Sequence, residues 1–263
     1  MTVKQALLLA SYGTTHAEAR ARGIGALASE AAAAFPRRRV MEAYMSPKVR
    51  RVLQARGEGM PGPAEALRQL RAEGREDLLV QPCLVAEGKA LDALLEEVQL
   101  QTDGFARVCV GAPLIASAED AAVVAHELCV CHAPMEGGAM VCVGHGSGAR
   151  TEQAFALVAA ALADEGRSDA LVTTLHHSDG VEGLLHRLPS NTHTVTLVPL
   201  LLTAGSHVSC ELAGAQEASW VSRLCAAGLE ARCERRGLLE HAPIRALFLN
   251  HASCASHDGW GST

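Results

Sequence analysis

The run LVPLLLTAGSH, Leu197–His207, constrains the fold more than any other stretch of the chain. Its apolar part reads as a buried strand (expected over Val195–Thr203), and Ala204-Gly205-Ser206 ends it abruptly, with a histidine just beyond its carboxyl end. In open parallel α/β sheets, ligands bind outside those ends. Two further stretches use the same device: VCVGHGSG (Val141–Gly148) stops at a glycine-flanked His145, and a strand over Ala170–Leu175 stops at His176-His177.

The chain also repeats itself. Pro82–Gly88, PCLVAEG, aligns with Pro199–Gly205, PLLLTAG, and ALLLASYGTT (6–15) aligns with MVCVGHGSGA (140–149). Strand and helix alternate four times in each half, with first-half strands expected over Lys4–Ser11, Arg39–Met45, Asp77–Leu84 and Ala106–Val110. This pattern predicts an α/β protein of two similar parallel-sheet lobes, each flanked by helices, with their strand ends facing a shared cleft. A boundary near Cys131–Gly138 divides it into an N-terminal lobe, 1–134, and a C-terminal lobe, 135–263, whose tail from about Ala252 is expected to be disordered. One larger sheet with chance similarity between glycine-terminated strands is the alternative.

Composition removes several classes of function. At 263 residues and 49% hydrophobic content, the chain can bury real cores. A net charge of -6 with mixed signs, and only 3% aromatic residues, leaves neither a basic stripe nor a stacking platform for nucleic acid. No segment offers the roughly 20 uninterrupted apolar residues of a membrane span. In the opening MTVKQALLLASYG the apolar run LLLA is too brief for a signal h-region, so a cytoplasmic protein is expected. Nine cysteines, odd in number and mostly within apolar runs, read as free thiols. Cys129-Val130-Cys131 beside His132 lacks both the usual C-x2-C spacing and a second pair, so no separate metal site is expected there.

The candidate chemistry lies at the second-half strand ends. A parallel sheet would bring His145, His176 or His177, and His207 to one edge, where they could converge on a single ion. Imidazole suits Co, Ni, Fe and Zn, and must be neutral to coordinate, as a pKa near 6.5 permits. In the first half, the turn Tyr12-Gly13-Thr14-Thr15 opens a helix; its N–H groups either hold a substrate carboxylate or simply cap the helix. His16, His126, His132, His186, His193, His241, His251 and His257 are read as structural or surface residues. The chain has no P-loop, no G-x-S-x-G, no H-E-x-x-H, and no G-x-G-x-x-G after a strand.

Taken together, LLLASYGTTHAEAR, VCVGHGSG, and LVPLLLTAGSH followed by ELAGAQEASW resemble the anaerobic, ATP-independent (class II) sirohydrochlorin cobaltochelatases, over Leu7 to about Leu249. The resemblance implies two flavodoxin-like lobes and cobalt insertion into sirohydrochlorin, in the cleft between them, on the anaerobic route to cobalamin. It implies that His145 and His207 are the catalytic, metal-handling residues. The chain departs from the family pattern twice. Thr174-Leu175-His176-His177 replaces T-V-E-G, putting an imidazole, assigned to His176, in place of a glutamate ligand. CLVAEGKA replaces L-H-V-I-x-G-E-E, so Leu84 stands for a histidine and Lys89-Ala90 for an acidic pair, with Glu87 nearby but out of register. The expected metal ligands are therefore His145, His176 and His207. The expected substrate contacts are Tyr12, Gly13, Thr14, Thr15, Glu87, Lys89, Arg150 and Ser206, with Lys89 and Arg150 placed to pair with substrate carboxylates. The expected partners are a tetrapyrrole and a divalent metal ion, with no cofactor beyond that ion, no nucleic acid and no membrane; self-association into a homo-oligomer is left open. Insertion of Fe²⁺ or Ni²⁺, or a non-catalytic carrier of tetrapyrrole or metal, are the alternatives.

Overall fold

The computed structural model describes residues 3–146, 148–176 and 180–257. Two four-stranded parallel sheets carry the fold. The first contains β1 (Gln5–Ser11), β2 (Arg38–Tyr44), β3 (Asp77–Cys83) and β4 (Arg107–Val110), in the order β2-β1-β3-β4. The second contains β5 (Gly138–Gly144), β6 (Ala170–Thr174), β7 (Thr194–Leu200) and β8 (Glu230–Cys233), in the order β6-β5-β7-β8. Both orders are the flavodoxin-like arrangement, in which the chain reverses direction beside its first strand. The expectation of two separate lobes of this class holds.

Helices follow the strands. They are α1 (Ala17–Arg20) and α2 (Ala26–Ala34), joined by a π-helical stretch at Ala21–Gly25, then α3 (Pro47–Ala55), α4 (Pro63–Ala72), α5 (Lys89–Gln99) and α6 (Ala118–Cys131). The second half supplies α7 (Ala149–Asp164), α8 (Gly180–Arg187), α9 (Trp220–Ala226) and α10 (Ala242–His257). Pro47 and Pro63 each sit in the first turn of a helix, where a missing N–H costs nothing. Ser117 caps α6 in a reciprocal box with Asp120.

With helices on both faces, the central strands lose all polar alternation: every residue of β3 is buried, as are Ala6–Ser11 of β1. One core gathers Leu8, Met41, Leu67, Val80 and Leu94; the other gathers Val143, Val181, Leu197, Val208 and Trp220. Each such side chain contributes roughly 1.5–3 kcal/mol on burial. The charges buried at the amino ends of the strands are paired. Asp77 accepts from Arg38 Nη1 at 2.9 Å and from Gln5 Nε2 at 3.0 Å, and Asp169 accepts from Arg167 at 2.7 and 2.8 Å.

The chain divides into two compact units, one running to Leu114 and resuming at Ile244, the other spanning Ile115–Pro243. This differs from the expected division at 134/135. Helix α6 packs on α7 and so joins the second unit. Helix α10 returns to the first, where Arg245 Nε donates to Glu30 at 2.8 Å and Arg107 Nη2 donates to the Ser256 carbonyl at 2.7 Å. A helix's sheet partner is a long-range choice that its own periodicity does not encode. The expected disordered tail also needs correction, because residues 252–257 complete α10 and Ala252 is buried; residues 258–263 lie outside the described part.

Candidate metal centre

Strand pairing fixes which positions of the two units correspond. Ser11 pairs with Tyr44 and Cys83, as Gly144 pairs with Thr174 and Leu200. Met45 N–H donates to the Ser11 carbonyl and Leu175 N–H to the Gly144 carbonyl, both at 2.8 Å. Ser11 therefore matches Gly144, and Tyr12 matches His145. The alignment of ALLLASYGTT with MVCVGHGSGA shifts by one residue.

The shift explains the glycines around His145. Gly13 and Gly146 now correspond, and both have left-handed backbone, φ 91° and 74°. A Cβ on Gly13 would lie 2.5 Å from the Tyr44 ring, and one on Gly146 would lie 2.7 Å from Thr174, each the last residue of the neighbouring edge strand. Gly144 is required for another reason, because a Cβ there would meet the Phe155 ring at 2.2 Å. The glycines thus shape the turn that turns His145 outward.

Three of the expected ligands meet. The His145 ring lies edge-on to His176, with centroids 4.7 Å apart and planes at 79°, and edge-on to His207 at 4.8 Å and 81°. His145 and His176 are exposed and His207 is partly so. His176 follows β6 in a turn. His207 stands beyond the expected strand end: β7 stops at Leu200, and His207 begins a π-helical turn, His207–Leu212. His177 lies outside the described residues.

The hydrogen bonds set the tautomers. His145 Nδ1 lies 3.3 Å from the Gly146 carbonyl, and His207 Nδ1 lies 2.5 Å from Glu211 Oε1. A carbonyl and a carboxylate oxygen can only accept, so each Nδ1 carries the hydrogen and each Nε2 keeps a free lone pair. Glu211, which holds the His207 ring, is a candidate site residue to which sequence reading assigned no role. The spacing His207-x3-Glu211 was its only signal, and the wide π turn lays the two residues along one face. A carboxylate behind a histidine is the usual support for a metal-binding imidazole. Partial desolvation where the otherwise exposed ring packs against its neighbours, then the charges of the His207 and His176 rings, hold the His145 pKa below its ordinary 6.5 against the opposing pull of the Gly146 carbonyl and Glu211. His145 is therefore neutral, and able to coordinate, at cellular pH.

The remaining expected site residues lie at corresponding strand ends of their own units. Tyr12 is 60% exposed after β1, while Thr14 is buried and its hydroxyl accepts from His16 N–H at 3.2 Å. The Thr15 carbonyl accepts from Arg56 Nη1 at 2.7 Å. Thr14 thus closes a local turn before α1, whose N-cap residue is His16. Glu87 and Lys89 are exposed around the start of α5, Arg150 is exposed in the first turn of α7, and Ser206 is exposed directly before His207. Leu84, which takes the family's histidine position, is buried.

Comparison with known proteins shows the family and the fold. The family model described as cobalt chelatase (CbiK) matches residues 5–257. The sirohydrochlorin cobaltochelatase of Salmonella typhimurium is 31% identical over 95% of this chain and 95% of its own. The sirohydrochlorin cobaltochelatase CbiKC of Nitratidesulfovibrio vulgaris is 29% identical over 96% of this chain and 90% of its own. Among solved structures, SirB from Bacillus subtilis with Fe³⁺ superposes with a TM-score of 0.66 at 15% identity, covering 97% of this chain and 96% of its own, a likeness of fold. With a family match spanning nearly the whole chain and the histidines gathered at the second unit's strand ends, this protein belongs to the cobalt chelatase (CbiK) family.

Proposed function

We infer that this protein inserts Co²⁺ into sirohydrochlorin as an early step of anaerobic cobalamin synthesis. The observation that carries this reading is the pair of Nδ1–H hydrogen bonds, which leaves the Nε2 lone pairs of His145 and His207 available on rings whose centroids lie 4.8 Å apart, in a family of cobalt chelatases. Neutral imidazoles suit an ion that must be held and then surrendered, because they bind cobalt without thiolate-like tenacity.

Insertion exchanges the ion for two pyrrole N–H protons. As the macrocycle nitrogens take the Co²⁺, the Nε2 atoms of His145 and His207 become vacant and accept the departing protons, which then pass to solvent. Glu211 stabilises His207 in the charged state. His176 supplies a third imidazole, so the ligand set is neutral where a glutamate would add a negative charge. Tyr12, Ser206, Lys89 and Arg150 are assigned to the substrate, the two cations pairing with its carboxylates.

A cytoplasmic location suits nine cysteines that are all free thiols. Among the described residues, no helix is long and apolar enough to cross a membrane.

The test is to incubate the purified protein with sirohydrochlorin and Co²⁺, Fe²⁺ or Ni²⁺ separately and follow the absorption change of the macrocycle. Fastest insertion with Co²⁺ is expected. Faster insertion of Fe²⁺ or Ni²⁺ would reassign the metal, and binding without accelerated insertion would make the protein a carrier.

A further inference from the structure

The last turn of α6 carries a second constellation, separate from the histidines at the strand ends. Glu127 and Cys131 are four residues apart and share one helix face, and Cys131 Sγ lies 3.6 Å from Glu127 Oε1. His241, from the residue just before α10, projects onto the same face. Its Nδ1 is 3.7 Å from Cys131 Sγ and 2.9 Å from Glu127 Oε1. These three ligating atoms all lie within 4.8 Å of one another, the one such triad among the described residues. The His241 side chain is 5% exposed and that of Glu127 15%.

From this geometry we propose that Glu127, Cys131 and His241 form a second metal site, for a borderline divalent cation such as Zn²⁺ or Co²⁺. A carboxylate, a thiol and an imidazole are the mixed donor set that such ions take. Ligand bonds of about 2.0–2.3 Å in a tetrahedron place neighbouring donor atoms about 3.3–3.8 Å apart. The two distances to sulfur already fall in that range, and the third opens by roughly half an ångström when the ion replaces the shared hydrogen.

Charge favours a cation here. Both α6 residues sit in the helix's last turn, at the negative end of its dipole. On binding, the Cys131 thiol proton leaves to solvent, and the resulting thiolate with the Glu127 carboxylate balances the two positive charges. Arg236, the nearby cation, is held by Glu234 at 3.2 Å and also reaches Cys131, a contact that the ion would replace. His132, which caps α6, has an Nε2 that is buried without a hydrogen-bond partner, an unused imidazole nitrogen directly after Cys131 in the chain. An ion bound here would tie the end of α6 to the chain entering α10. It would be a structural ion, distinct from the cobalt that is substrate.

The test uses the full chain with His145→Ala and His207→Ala, which silences the strand-end centre, titrated with Co²⁺ under reducing, oxygen-free conditions. One equivalent should bind and give an intense near-ultraviolet thiolate-to-cobalt charge-transfer band, displaced by Zn²⁺. Adding Cys131→Ser should abolish the band, and adding Glu127→Gln should weaken binding by at least about tenfold. In the otherwise unaltered protein, Cys131→Ser should leave the initial rate of cobalt insertion within about twofold, which separates this site from the chelatase reading. No charge-transfer band, or a band that survives Cys131→Ser, would overturn the proposal and leave the triad a hydrogen-bonded contact only.

Discussion

The two units share one scaffold to the level of single hydrogen bonds, yet their strand ends carry different chemistry. Where the second unit has His145, His176 and His207, the corresponding positions of the first are Tyr12, Ser46 and Ala90. Ser46 is spent on capping α3, accepting from Val49 N–H at 3.3 Å. The first unit instead buries its polar groups among the strands. Glu42 lies on β2 where β6 has Val172; its Oε2 is buried without a hydrogen bond, and the nearest cation, Arg20 Nε, is 3.9 Å away. Burial raises the Glu42 carboxyl above its ordinary value, Arg20 only partly opposing, and the neighbouring Tyr44 phenol is pushed up to about 12. The repeat preserves the turn geometry in both units, while the histidines stand on the turns of only one. The proposed metal site is a property of the residues placed on the turns, and the turns themselves do not confer it.

The largest expected effect tests that asymmetry. His207→Ala should lower the initial rate of cobalt insertion by at least about 10²-fold, the low end for a positioned acid–base group, with the circular dichroism spectrum unchanged. Tyr12→Ala, at the first unit's equivalent of His145, should cost less than about tenfold. Equal losses would mean that both units carry the metal chemistry.

Removing the support behind the ligand comes next. Glu211→Gln should weaken Co²⁺ binding by about 10–100-fold, as loss of a partner behind a metal-binding histidine usually does, measured by competition with a chromophoric chelator. An unchanged affinity would show that the 2.5 Å contact to His207 plays no part in binding.

A paired substitution sharpens the comparison. Gly13→Ala and Gly146→Ala each force a side chain into left-handed backbone and against the adjacent strand, so each should cost about 1–3 kcal/mol in urea unfolding. The stability losses should match, but only Gly146→Ala should also reduce cobalt affinity.

The smallest effect concerns the buried carboxyl. Because the Glu42 pKa is raised in the folded chain, the native state binds this proton more tightly than the unfolded state does. Its contribution to stability is therefore full below about 4.5 and is lost as pH rises through the raised value. Glu42→Gln should accordingly stabilise the protein at pH 7 by about 1 kcal/mol, the low end for relieving an unsatisfied buried polar group, and by less near pH 4. Thermal melts at the two pH values check this.

Much of this organisation was legible in the chain because it is local. Apolar runs ended by Gly or Ser marked the strands, and Pro82–Gly88 set against Pro199–Gly205 disclosed the two lobes. The features that were not legible depend on distant partners. The one-residue shift between ASYG and VGHG is set by Tyr44 and Thr174 on neighbouring strands. The assignment of α6 and α10 to opposite units rests on contacts such as Arg245 with Glu30. Glu211 became meaningful only when the chain after β7 formed a π turn, and Cys131 meets His241 across 110 positions of sequence. The approach of His145, His176 and His207 to one sheet edge was expected from the repeat; that the His145 ring stands against both of the others required the fold.

The most direct test of the account is cobalt anomalous scattering from crystals of the full chain grown with Co²⁺. A cobalt peak is expected at the second unit's strand ends, about 2.1 Å from Nε2 of both His145 and His207, with His176 as the third imidazole. No peak there, or cobalt held by only one of those two histidines, would contradict it.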